Sequence, residues 1–131
     1  MIQWRKRLWP MGSAKGTMMR ADAHRQAAED IEVSITLLSA DPRGARLTIE
    51  GAWGAVFHWI AFGCETKHQA HQESHTRLGA FLRKQGESVV ANQWEQIDQL
   101  RQGGWYGTCT DPATAQAALA ILNDIRTWAT N

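Results

Sequence analysis

The chain has 131 residues and carries 14 lysine and arginine against 13 aspartate and glutamate, a net charge of +1. That length suits one domain with a core of its own, needing no disulfide or metal staple, and the balanced charge makes no case for a nucleic-acid-coating surface. Its two cysteines, Cys64 and Cys109, are too far apart in sequence for a disulfide framework and read as free thiols of a reducing cytoplasm.

Residues 1–19 set Arg5, Lys6 and Arg7 beside Trp4 and Trp9 and then run through Gly-Ser-Ala-Lys-Gly. They read as a flexible arm or extension, without the apolar segment of a secretory signal. Residues 20–131 read as the folded domain. From Asp22, a plausible N-cap, Ala28, Ile31, Ile35 and Leu38 step by three and four and predict a first helix. Its end is expected near Asp41-Pro42, because a residue before proline is pushed out of the helical region.

A second helix is predicted from Ala45, with Ile49, Trp53, Val56 and Ile60 as its stripe. The stretch AWGAVFHWIAFGC is apolar nearly all round, the mark of a central helix touched from several sides. Gly51, Gly54 and Gly63 each weaken a helix by about 1 kcal/mol, so their expected use is close approach of a neighbour. No apolar run is long enough to cross a membrane.

KHQAHQES then reads as a polar loop or the exposed end of the second helix. Ser74 is expected to cap a short third helix with Leu78, Phe81 and Leu82 inward, ended by Gly86 in a left-handed cap position. A fourth helix is predicted over Ser88–Gln102, stopped by Gly103-Gly104. Asp111 before Pro112 is a clean start for the last helix, which carries Ala115, Ala118, Leu122, Ile125 and Ala129 to about Thr130. Short connections favour antiparallel neighbours, so the predicted fold is all-α, an up-and-down bundle of four to five helices.

Several spaced residues sharpen this. The opening helix carries Ala28-Glu29-Asp30, and the second a central Phe57-His58 pair. Ser74-His75 leads into Leu78 and Phe81, and Leu100-Arg101 is followed after four residues by Tyr106. This order resembles the HEPN family of small helical domains over residues 20 to 130. The resemblance implies a homodimer, cytoplasmic, in a toxin–antitoxin, defence or mobile-element setting, with RNA, a nucleotide or a cognate protein as partner and no cofactor. Nuclease members place an arginine, a polar residue and, a few residues on, a histidine. Such a histidine serves as acid or base near neutral pH, and the arginine holds the scissile phosphate.

Here Arg101 and Gln102 stand in order, but Tyr106 takes the histidine position. A tyrosine, with a pKa of about 10, is a poor base at neutral pH. The resemblance therefore implies a non-catalytic version, in which Arg101, Gln102, Tyr106 and His75 are the anion- or ligand-binding candidates. The alternative is a metal-independent RNase in which Arg101 works with Tyr106, or with a histidine from elsewhere such as His58 or His75. A purely structural interaction protein is the third reading. From position alone, Arg101 is expected to cap a helix C-terminus, where cations are favoured, with Trp105 and Tyr106 plugging the bundle end.

Cys64, His68, His71 and His75 are spaced four, three and four. On one continuous helix they would share a face but spread over about 16 Å, too far for one ion. His68, His71 and His75 are therefore weak metal candidates, and an exposed polar loop is the expected reading. His58, inside the apolar helix, is expected to be a hydrogen-bonded core histidine beside Tyr106 or Glu50. The second helix offers more apolar surface than one stripe hides, and the surplus is expected to meet a second copy in a two-fold dimer.

Overall fold

The structure, a computed structural model, describes residues 20–106 and 111–131. The arm at 1–19, Cys109, and the side chains of Trp105 and Tyr106 lie outside the described residues. The described chain forms α1 (Ala21–Leu38), a 3-10 turn (Pro42–Gly44), α2 (Ala45–His68), α3 (Leu78–Lys84), α4 (Ser88–Tyr106) and α5 (Pro112–Thr130), with no strand among the described residues. It is the all-α bundle that the periodicity predicts.

Helix α2 is its axis. Ile49, Ala52, Val56, Trp59, Ile60 and Cys64 are each at most 1% exposed, and every fully buried large apolar side chain contributes about 1.5–3 kcal/mol. Gly51 faces Ile35 and His58 faces His24, so α1 runs antiparallel to α2. Arg101 reaches Glu50 and Trp53 reaches Asp98, so α4 is antiparallel as well. Helix α5 is different. Pro112 and Ala115 lie near Ala45 and Thr48, while Trp128 lies on Gly63, so α5 runs parallel beside α2. Three long helices thus enclose α2 within a single chain. Much of the apolar surface expected to meet a second copy is taken up by α1, α4 and α5, while Leu47 at the start of α2 stays 52% exposed.

The glycines of α2 make this enclosure close. A Cβ at Gly51 would stand 2.2 Å from Ile35 Cγ2, and one at Gly63 would stand 2.4 Å from Trp128 Cζ3. Gly54 meets only an ordinary contact at 3.7 Å, so the predicted close approach applies to two of the three. Gly63→Ala gains about 1 kcal/mol of helix propensity but drives a methyl group into an indole whose Nε1 donates to Glu87. The clash should win, with a net loss of about 1–2 kcal/mol in urea unfolding. An unchanged midpoint would mean that α5 slides off α2 freely.

Helix ends depart from expectation in four places. Arg20, not Asp22, holds the N-cap of α1 and makes no side-chain cap bond. Helix α1 stops at Leu38, before the proline acts, and Asp41 instead accepts from the Arg43 backbone N–H to start the 3-10 turn. Helix α3 begins at Leu78, and Ser74 closes a turn through its carbonyl instead of capping with its side chain. Helix α4 runs through Gly103 and Gly104 to Tyr106, because two glycines weaken a helix without forbidding it. Asp111 does cap α5, its carboxylate accepting from Thr114 N–H at 2.8 Å, and Gly86 does take a positive φ of 84°.

Candidate functional site

Two polar groupings lie along one side of α2, joined by an aromatic seam. The first surrounds Arg101. Since α4 continues past it, Arg101 does not cap a helix C-terminus. Its Nε donates to both carboxylate oxygens of Glu50, at 3.1 and 3.0 Å, and its guanidinium lies 4.1 Å from the centre of the Trp53 ring. That stacking is worth about 0.5–2 kcal/mol according to solvent access. The Trp53 indole N–H donates to Asp98, whose other oxygen accepts from Gln102. The predicted pair Arg101 and Gln102 therefore sits in one network whose groups already have partners.

The seam is His75, Trp53, Phe57 and Trp94. His75 packs edge-on against Trp53 and Phe57, with ring centres 4.7 and 4.5 Å apart. It thus stands one ring away from Arg101, on the same indole.

The second grouping was not legible as a unit. His58 neither faces Glu50 nor stands alone: its Nδ1 is 2.8 Å from Nδ1 of His24, on the first turn of α1. The other nitrogen of His24, Nε2, is 3.2 Å from Glu73 Oε2. That same oxygen is 2.8 Å from His71 Nε2, and His71 Nδ1 is 2.9 Å from Glu65 Oε2. The order is His58, His24, Glu73, His71, Glu65. His24 is completely buried. Burial, and then the neighbouring His24, push His58 down to about 4. Burial likewise lowers His24, outweighing the Glu73 carboxylate. For Glu73, burial pushes the carboxyl up, but hydrogen bonds from His24 and His71 outweigh it and the net direction is down.

Carboxylates accept and do not donate, which orders the protons. His24 must donate from Nε2 to Glu73, so its Nδ1 accepts, and His58 donates from Nδ1. His71 faces carboxylate oxygens through both nitrogens, Glu65 at Nδ1 and Glu73 at Nε2.

The predicted polar loop is present, so Cys64, His68, His71 and His75 do not share one helical face. Helix α2 ends at His68, and Gln69 takes a left-handed conformation, φ 55° and ψ 32°. That conformation is costly for a side chain with a Cβ. The reversal there carries His71 back onto Glu65. His68 pairs with Glu87 instead, and His75 joins the seam. Cys64 is fully buried, its thiol pushed up to about 12 by burial and then by the Glu87 and Glu65 carboxylates. As a buried neutral thiol it packs as part of the apolar core. Spacing along the chain does not pair His24 with Glu73. One signal was available: His24 extends the buried stripe Ala28, Ile31, Ile35 by one further turn.

Elsewhere a shallow depression of about 350 Å³ lies over Arg25, Glu29, Glu32, Trp59 and Arg126. Its charges pair internally, Arg25 with Glu29 and Arg126 with Glu32. No helix among the described residues is long and apolar enough to cross a membrane. Compared with protein-family models, with curated proteins and with solved structures, the chain matches none.

Proposed function

We propose that this chain is a non-catalytic binding module similar to the HEPN domains it resembles. In this reading it is a homodimeric helical bundle that takes RNA, a nucleotide or a cognate protein in a defence, toxin–antitoxin or mobile-element setting. The observation that carries the non-catalytic half is the engagement of Arg101. Its Nε edge is turned onto Glu50, and its guanidinium face onto Trp53. A scissile phosphate would have to displace a carboxylate and then sit beside it, like charge against like. The binding half draws support from apolar side chains left outside the bundle. Val33 and Leu37, one turn apart on α1, are 70% and 79% exposed, and Leu47 at the start of α2 is 52% exposed. Exposed large apolar groups are what a second copy or a partner covers.

One observation favours the RNase reading: His75 and Arg101 both pack on Trp53, which sets a proton-transfer group near a phosphate-binding one. The test is incubation of the purified chain with mixed RNA on a denaturing gel, beside light scattering. Intact RNA and a dimeric mass are expected. Cleavage that vanishes in both Arg101→Ala and His75→Ala would replace this reading with the nuclease. In the binding-module reading, Arg101→Ala costs about 1–2 kcal/mol of stability through the lost ion pair and stacking.

A further inference from the structure

We propose that His24, His71 and Glu73 bind one divalent first-row transition metal ion of the zinc type, with Glu65 and His58 orienting the two imidazoles. This inference is independent of the binding-module reading. It starts from convergence. The three residues come from the first turn of α1 and from the loop after α2, yet His24 Nε2, His71 Nε2 and a Glu73 oxygen all lie within 4.8 Å of one another. Tetrahedral zinc with bonds of about 2.0–2.1 Å sets its ligands about 3.3 Å apart. Two of the three separations are 3.2 and 2.8 Å. The third, between the two imidazole nitrogens, is at most 4.8 Å, so a cation needs only side-chain shifts that draw the rings together and ease Glu73 back.

Orientation is the second argument. A metal-binding histidine holds its ring by giving its other N–H to an acceptor, often a carboxylate. Both rings have such a support: His71 Nδ1 lies 2.9 Å from Glu65, and His24 Nδ1 lies 2.8 Å from His58 Nδ1. Charge is the third. Glu65 and Glu73 bring two negative charges to a place where His24 and His71 are 1% and 3% exposed as side chains, and one divalent ion balances them. Two imidazoles with one carboxylate suit zinc, cobalt or nickel, whereas calcium and magnesium call for oxygen donors throughout. Glu73 is 37% exposed, so solvent reaches the outer side, where a water completes the coordination.

Cation binding also rearranges protons in a definite way. His24 gives up its Nε2 proton, and His71 ligates through an Nε2 that carries none. The proton on His58 Nδ1 passes along the short bond to His24 Nδ1, and His58 takes one from solvent on Nε2. The His24–His58 pair ends with the count it began with. His58, which touches no ion, thus switches its protonated nitrogen from Nδ1 to Nε2.

The test uses the full chain stripped with a chelator and titrated with Co²⁺ as a visible-absorbing probe, with Zn²⁺ as competitor. The expected result is one ion per chain and displacement by zinc, read by absorbance and by calorimetry. Histidine ¹⁵N spectra should show the His58 switch. His71→Ala and Glu73→Gln should each weaken binding by tenfold or more, and Glu65→Gln by about tenfold. His68→Ala, whose ring is held by Glu87, should change nothing. His71→Ala and Glu73→Gln are read only after circular dichroism shows the helical signal intact, and the His58 switch in the unaltered chain needs no variant. Absence of one-to-one binding at 100-fold excess cation, or binding of equal strength in Glu73→Gln and the unaltered chain, would overturn the proposal.

Discussion

Trp59→Ala is expected to cost about 3–5 kcal/mol, the range for deleting a buried large aromatic side chain. Trp59 is 1% exposed at the middle of α2, and its indole N–H donates to Glu32, which also receives Arg126 from α5. The residue therefore does two things. It fills the volume where α1, α2 and α5 meet, and it supplies the donor that keeps the half-buried Glu32 satisfied from the inner side. Alanine leaves a cavity and removes the donor together. Trp59→Phe separates the two, since it keeps most of the volume and loses only the N–H, so a smaller cost of about 1–2 kcal/mol is expected. Domains of this size are stable by only about 5–15 kcal/mol, so Trp59→Ala should already be partly unfolded at moderate urea. A loss below 1 kcal/mol, measured by urea unfolding, would mean that α2 is not enclosed as described.

Stability should fall as pH drops from about 6.5 to about 4, in buffer with chelator present. The sign follows from His58, whose folded value is pushed down to about 4 by burial and by His24. An unfolded histidine takes a proton near pH 6.5. Between those values the unfolded chain binds more protons than the folded one, so acid favours unfolding. The full interval corresponds to roughly 3 kcal/mol, and partial solvent access to His58 trims this to about 2–3 kcal/mol. His24 acts in the same direction. Glu73 adds to the loss at lower pH, because its folded value is held below the ordinary carboxyl range and its stabilisation disappears as pH falls through that value. Denaturation midpoints at pH 7, 5.5 and 4 provide the measurement, with His58→Asn as the comparison. Asparagine retains a donor for His24 but cannot titrate, so its pH dependence should be shallower. A flat profile for the unaltered chain would remove the buried neutral pair.

The Asp111-Pro112 start of α5 and the turn at Gly86 were legible because the deciding bonds are local: a carboxylate to an N–H three residues on, and a glycine at positive φ. The stop expected at Gly103-Gly104 is absent, since α4 carries on through both glycines to Tyr106. Arg101 was found as a residue of interest, but its partner Glu50 lies 51 positions away. Spacing groups His71 with His68 and His75, whereas the fold places it with His24 and Glu73. The turn that decided this is a glutamine in a glycine-like conformation, which no periodicity announces.

Spacing of apolar residues along the chain was sufficient by itself for the helices, their number and the central place of α2, because burial of one face repeats every 3.6 residues and leaves its trace in order. Only the tertiary structure decided which polar groups meet, that α5 lies parallel on α2, and that this helix is wrapped by its own chain. Those outcomes depend on contacts between segments far apart in sequence, such as His24 with His58 and Gly63 with Trp128, and their energies are set by three-dimensional packing that a linear pattern does not encode.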